Sequence, residues 1–195
     1  MPASHVPVIS LGGRKLQPAR DFQANLAFGK IAETQISRYL KSRGNLILPV
    51  YDIEYETGKG PRLFGIQELI APDMLCFGAK HIFWVEAKRK TVFSWHRITK
   101  RWTTGINKEH WEHYIQVHDA TNLPVWLFFL HTCSTPSPQD LRMGCPDSCP
   151  VGLFGNTLAH LKDHINHTSS LWGNTGMVYW AVDHLKLIAP LCRVE

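Results

Sequence analysis

Between Leu123 and His131 the chain reads LPVWLFFLH, an unbroken apolar stretch with the length of one strand. A strand with one wet face alternates apolar and polar residues, whereas a continuous run belongs to a strand covered on both faces, and therefore to a layered domain. The rest of the chain can supply the cover. Of its 195 residues 44% are apolar and 19% charged, with seven Trp, nine Phe and five Tyr, which excludes intrinsic disorder. That length fits one domain. Five Cys, an odd number without framework spacing, argue against a disulfide-stapled secreted domain. The opening MPASHVPVISLGGRK lacks the apolar stretch of a signal peptide, and no later run approaches the roughly 20 residues that span a bilayer. A cytoplasmic protein without a membrane partner is expected. Twenty-one Lys plus Arg against sixteen Asp plus Glu give +5, which suits a polyanionic partner without specifying one.

Residues 1–20, broken by Pro2, Pro7, Gly12, Gly13 and Pro18, are expected to form an arm ahead of a single domain over 21–195. From Gly29, Ala32, Ile36, Tyr39 and Leu40 recur at helical spacing up to a stop at Gly44. Leu46–Glu56, Arg62–Phe77 and His81–Lys88 are expected as three strands of an antiparallel meander. Asn107 is placed to cap a helix with Trp111, Tyr114, Ile115 and His118 on one side. After the apolar strand, Thr132–Gly155 is rich in Pro, Ser, Gly and Cys and lacks any period, so an irregular insertion is expected over about 132–170. A short helix over Leu158–Ile165 and a last strand over Met177–Val182 complete the reading.

The chemistry concentrates at two places in the meander. Pro72-Asp73 lies late in its second strand, and Glu86-Ala87-Lys88 ends its third, with Glu86 and Lys88 on one face by the two-residue period. A turn centred between Ala79 and Lys80 sets Asp73 opposite Glu86, and opposed residues stand about 5 Å apart. Two carboxylates and an ammonium would then converge, a set that holds a hard divalent cation, Mg²⁺ or Mn²⁺, against a phosphodiester. Glu33 adds a carboxylate beside the buried stripe of the first helix, where an unpaired charge is costly. Asp52, Glu54 and Glu56 share a strand face and are rival acids, Asp52 being the accessory candidate.

The order helix-Glu, strand, strand with PD, strand with ExK, helix, apolar strand resembles the PD-(D/E)xK nuclease superfamily over roughly Gly29–His131. The resemblance implies an α/β fold with a restriction-endonuclease-like core: a central mixed β-sheet flanked by helices, here with a Cys/Pro-rich insertion. It also implies Mg²⁺- or Mn²⁺-dependent hydrolysis of DNA phosphodiesters, with Asp73, Glu86 and Glu33 at the metal and Lys88 at the nucleophile. Several members carry Gln and Tyr four apart on the following helix; here His110 and Tyr114 hold that spacing and are expected at the scissile-strand phosphate. Size and single core look more like Holliday-junction resolvases and small phage nucleases than like helicase-fused exonucleases. The expected function is a metal-dependent DNA endonuclease acting on branched or structured DNA in recombination or repair, as a monomer or a homodimer. The competing reading is a non-catalytic DNA-binding module on the same scaffold.

Two further segments carry expectations. KRKTVFSWHRITKRW interleaves Arg89, Lys90, Arg97, Lys100 and Arg101 with Phe93, Trp95 and Trp102, and reads as a nucleic-acid contact loop or as a hairpin with its aromatics in the core. His131, Cys133, Cys145 and Cys149 offer one imidazole and three thiols for a structural Zn²⁺, with His160, His164 or His167 as substitute ligands, or are ordinary free thiols.

Overall fold

The computed structural model describes residues 22–50, 61–66, 68–171 and 175–194, with side chains in the first helix from residue 29 onward. The expected arm, and Asp52, Glu54 and Glu56, lie outside the described residues.

In chain order the elements are α1 (Phe22–Ser42), β1 (Leu46–Pro49), β2 (Arg62–Leu63), β3 (Leu69–Ile70), β4 (Met74–Phe77), β5 (Ile82–Lys90), β6 (Ser94–His96), β7 (Arg101–Asn107), α2 (Lys108–Thr121), β8 (Val125–His131), α3 (Pro138–Arg142), β9 (Gly152–Thr157), α4 (Leu158–Lys162), β10 (His167–Ser169), β11 (Met177–Ala181) and β12 (Lys186–Ala189). Six strands form a central sheet in the order β1-β4-β5-β8-β9-β12, and β10-β11-β7-β6 form a second. Among the described residues only β5 and β8 run parallel, so the central sheet is mixed.

β8 bears out the logic of its apolar run. Val125, Leu127 and Phe129 join one buried cluster with Trp84, Trp111 and Tyr114 on the α2 side. Phe128 and Leu130 join another with Ala32, Ile36 and Leu40 of α1, beneath Val85 and Ala87. Except at Trp126, which is half-buried, the strand has no position where a polar side chain would be wetted. The domain is thus a mixed α/β layer structure, a central mixed sheet flanked by helices.

Several boundaries differ from expectation. α1 begins seven residues earlier than its apolar period, and ends where Gly44 takes φ +83°, a left-handed conformation that glycine reaches without a Cβ penalty. The expected strand Arg62–Phe77 is three short strands, β2 and β3 forming their own pair. Pro72 interrupts the run because it has no N–H for a ladder. Asn107 does precede α2, but its side chain makes no capping bond.

The expected irregular insertion over about 132–170 contains regular structure. β9 is a strand of the central sheet, paired to β8 over Trp126–His131, and α4 and β10 follow it. Glycines hid β9 from a pattern reading. A Cβ on Gly155 would stand 2.3 Å from Phe128 Cδ1, so the close β8–β9 approach requires the residue that weakens the strand signal. The irregular stretch is therefore short, and within it Ser137 Oγ caps α3 by accepting from Asp140 N.

Candidate active site

β4 and β5 pair with Met74 opposite Val85 and Phe77 opposite Ile82, the register of a turn centred between Ala79 and Lys80. Continued by one residue, that register sets Asp73 opposite Glu86 on the α2 side of the sheet. A direct contact fixes the placement: Asp73 Oδ2 accepts from Ala87 N at 2.7 Å. Glu86 is 1% exposed and ion-pairs with Lys88, its neighbour on the same strand face. Asp73 stands one residue before β4, where its own carbonyl accepts from Val50 N at 2.9 Å while its carboxylate turns onto the β5 backbone.

Burial is the main influence on the Asp73 carboxyl and pushes its pKa well above the usual range; Glu86 and Glu33 push the same way, and Lys88 opposes them. Burial lowers the Lys88 pKa, but Glu86, Asp73 and Glu33 together outweigh it and hold the ammonium above its ordinary value. Glu33, half-buried on α1, is thus electrically part of the cluster. The three carboxylates do not all converge at one point: among the described residues, Asp73, Glu86 and Glu33 do not form a triple with ligand atoms all within 4.8 Å of one another.

His110 on α2 also reaches this group. Burial and then Lys88 lower its pKa, while Glu86 raises it. Its Nδ1 meets Tyr114 Oη at 3.1 Å. Tyr114 itself is 1% exposed, which removes it from direct contact with a large ligand. The i, i+4 spacing was right, but helix orientation turns Tyr114 into the core and leaves it as the support of His110.

The basic segment after β5 is a hairpin. β6 pairs with β7, Phe93 and Trp102 are buried, and Trp95 is half-buried with its ring edge-on to Trp102. Trp95 N is tied to Asp140 Oδ1 at 3.0 Å. Arg97 and Lys100 stand exposed at the turn, where Lys100 takes φ 49°. Arg101 is exposed but ion-paired with Asp183. Arg89 and Lys90 are half-buried on β5, and burial followed by the Lys88 charge lowers the Lys90 pKa to about 8.

The expected zinc set is not assembled. His131 is fully buried and stacks on Phe93 at 3.5 Å between ring centroids, away from a shared centre with the thiols. Cys133, Cys145 and Cys149 are free thiols, and among the described residues no three of these four ligands come within 4.8 Å of one another. Backbone bonds order the segment instead: Cys133 N donates to Thr91 O at 2.8 Å and Cys149 N to Ser134 O at 2.9 Å. The triple that does converge among the described residues is His160, His164 and His184. His184 carried no signal in sequence, because it joins the other two only through tertiary folding.

No known protein-family profile matches the chain, and no curated protein matches it. Among solved structures, the 1.6 Å structure of Archaeoglobus fulgidus Hjc, a Holliday junction resolvase from an archaeal hyperthermophile, aligns over 80% of this chain and 90% of that one, with 8% identity and a TM-score of 0.45.

Proposed function

We propose that the protein is a divalent-metal-dependent DNA endonuclease, with Asp73, Glu86 and Lys88 as its catalytic centre and Glu33 in support. The observation that carries this reading is Glu86, an almost wholly buried acid beside a second buried acid, Asp73. Charges are withdrawn from water only where a partner compensates them. Lys88 balances one carboxylate, and counting Glu33 the cluster keeps a surplus of negative charge that a hard cation with oxygen ligands fits. Asp73 and Glu86 would hold it, as Mg²⁺ or Mn²⁺; such an ion, when bound, polarises a phosphate and acidifies a water.

The chain's own groups divide the remaining work. Lys88 stays protonated through neutral pH under its acidic neighbours, so it serves as a fixed positive charge for the phosphate oxygens and not as a base. His110, whose pKa is lowered by burial and then by Lys88, has Nδ1 engaged by Tyr114 Oη. Asp73, bonded to the β5 backbone, and Glu86, tied to Lys88, are pre-oriented. Arg97 and Lys100 supply exposed charge for the DNA backbone. Branched DNA as the preferred substrate, and a homodimer as the assembly, belong to this proposal through the family resemblance.

The test is a substrate panel of plasmid, linear duplex, single strand and four-way junction, each with Mg²⁺, Mn²⁺ or EDTA. Nicking or junction cleavage that disappears in EDTA is expected. Retarded migration of DNA in EDTA with no cleavage under any metal would establish the binding-module reading instead.

A further inference from the structure

His160, His164 and His184 meet beside the second sheet in a group that includes none of the carboxylates of the candidate active site. His160 lies on α4, whose cap Thr157 Oγ1 accepts from His160 N at 3.3 Å. His164 follows in the next turn, with His164 N on Leu161 O at 3.2 Å, and His184 ends the short 3-10 turn Val182–His184. The His160 and His164 rings stack with centroids 4.2 Å apart, and His164 stands 4.4 Å from His184. One ring nitrogen from each residue lies within 4.8 Å of the other two, and all three rings are half-buried.

Two supports hold the group. His164 Nδ1 lies 2.8 Å from His160 O; a carbonyl only accepts, so Nδ1 carries the proton and Nε2 keeps its lone pair. A backbone carbonyl on the far nitrogen is the arrangement that fixes tautomer and ring orientation in metal-ligating histidines. His184 is anchored from behind by Asn156, which is 4% exposed and donates Nδ2 to His184 O at 3.0 Å. A cleft of about 410 Å³, lined among others by Arg101, Asp163, Asn166 and the His164 and His184 rings, opens beside the cluster.

We propose that His160, His164 and His184 form a binding site for a divalent transition ion of the zinc class. Neutral imidazole nitrogens suit Zn²⁺, Cu²⁺ or Ni²⁺ and are poor partners for Mg²⁺, so the two candidate metal sites of this chain differ in chemistry. Zn–N bonds of about 2.0–2.1 Å require the nitrogens to close somewhat from their present spread, a change that side-chain torsions provide. Three protein ligands leave the fourth position open to the cleft, for water or a small anion beside Arg101. The ion would clamp α4 to the turn after β11. Through the Arg101–Asp183 ion pair and the Thr99–Asn166 hydrogen bond of 3.4 Å, the same region is joined to the β6–β7 turn.

The experiment is calorimetric titration of the reduced full chain with Zn²⁺ in excess Mg²⁺, followed by the absorption spectrum of the Co²⁺-loaded protein. One equivalent of zinc is expected, with a Co²⁺ spectrum free of the sulfur-to-metal band that thiolate ligands produce. His184→Ala and His160→Ala should each weaken zinc binding by at least about 100-fold, the upper end of what loss of a supporting partner alone causes. Cys145→Ser/Cys149→Ser should leave it unchanged. Absence of zinc uptake, equal affinity in a folded His variant, or loss of binding in the Cys variant would overturn the proposal. Circular dichroism establishes which variants are folded, and His160→Ala, at a half-buried position of the short helix α4, carries the test should His184→Ala fail to fold.

Discussion

Lys90 has its charge depressed by the protein, so its protonation is open to change by a ligand. Its pKa is lowered to about 8, by burial first and then by the Lys88 charge, from an ordinary value near 10.5. The folded state therefore disfavours the charged form: the penalty is full below about pH 8 and disappears as pH rises to 10.5, where the unfolded chain also loses its proton. Lys90→Met should raise the melting temperature at pH 7, with the gain shrinking between pH 8 and 10.5. The effect should be a fraction of the roughly 1.4 kcal/mol that each pKa unit represents, because the half-buried side chain is partly screened. If Lys90 meets phosphate, DNA binding near pH 8 should take up protons, which calorimetry in buffers of different ionisation heat measures. A wild-type–variant difference that stays flat across this range would show that Lys90 is no more perturbed than a surface lysine. At this scale the sequence was informative where geometry is arithmetic: the strand period and the turn centre placed Asp73, Glu86 and Lys88 together. Tyr114 carried two expectations, the side of α2 shared with Trp111 and a contact to phosphate, and its 1% exposure agrees with the first.

Among the elements, the β6–β7 hairpin shows how one segment serves two ends. Its aromatics build the core, Phe93 stacking on His131 and meeting Phe154 edge-on at 5.3 Å, while Arg97 and Lys100 remain at the exposed turn. Arg97→Ala/Lys100→Ala should reduce the slope of log affinity against log salt by about two units, since each phosphate contact contributes about 0.9. Arg101→Ala should change it less, because Asp183 already neutralises Arg101. Gel-shift titrations over a salt series check both, and an unchanged slope in the double variant would put the DNA path elsewhere. β9 was illegible for the opposite reason to β8. Its sequence GLFGNT spends two positions on glycine, and the 2.3 Å approach at Gly155 shows that packing, not propensity, dictates them. Gly155→Ala should accordingly destabilise the domain by about 1–3 kcal/mol, the range for forcing a methyl group into a packed interior. Urea denaturation measures this; a neutral result would mean that β8 and β9 are not so closely apposed.

For the whole molecule, layering explains both what holds the chain together and where its chemistry sits. The mixed sheet is covered by α1 on one side and by α2 with the second sheet on the other, and the acids emerge where β4 and β5 meet α2. No helix among the described residues is long and apolar enough to cross a membrane. Buried like charges at one spot oppose folding, so a divalent cation bound there should stabilise the protein by mass action. Mg²⁺ or Mn²⁺ should raise the melting temperature of the wild type, EDTA should reverse the gain, and Asp73→Ala should abolish it. An equal metal response in the variant would move the site away from Asp73. The layers and the α/β class were legible from the apolar run and the helical periods, whereas of the second sheet only the strand at β11 and the alternative of a hairpin after β5 were read, because β6 and β10 are short, β7 is interrupted by Gly105, and the pairing of β7 with β11 joins segments distant in sequence.

The central claim is that Asp73, Glu86 and Lys88 act as one phosphodiester-cleaving unit, and single-turnover cleavage of a four-way junction and of supercoiled plasmid by wild type and by Asp73→Ala, Glu86→Ala and Lys88→Ala tests it most directly. Groups that act together lose orders of magnitude in rate when any one is removed. The predicted result is Mg²⁺- or Mn²⁺-dependent cleavage by the wild type and a loss of about 10³-fold or more in each variant, with DNA binding retained and Glu33→Gln affected less. Near wild-type, metal-dependent cleavage by all three variants would contradict the assignment of the site.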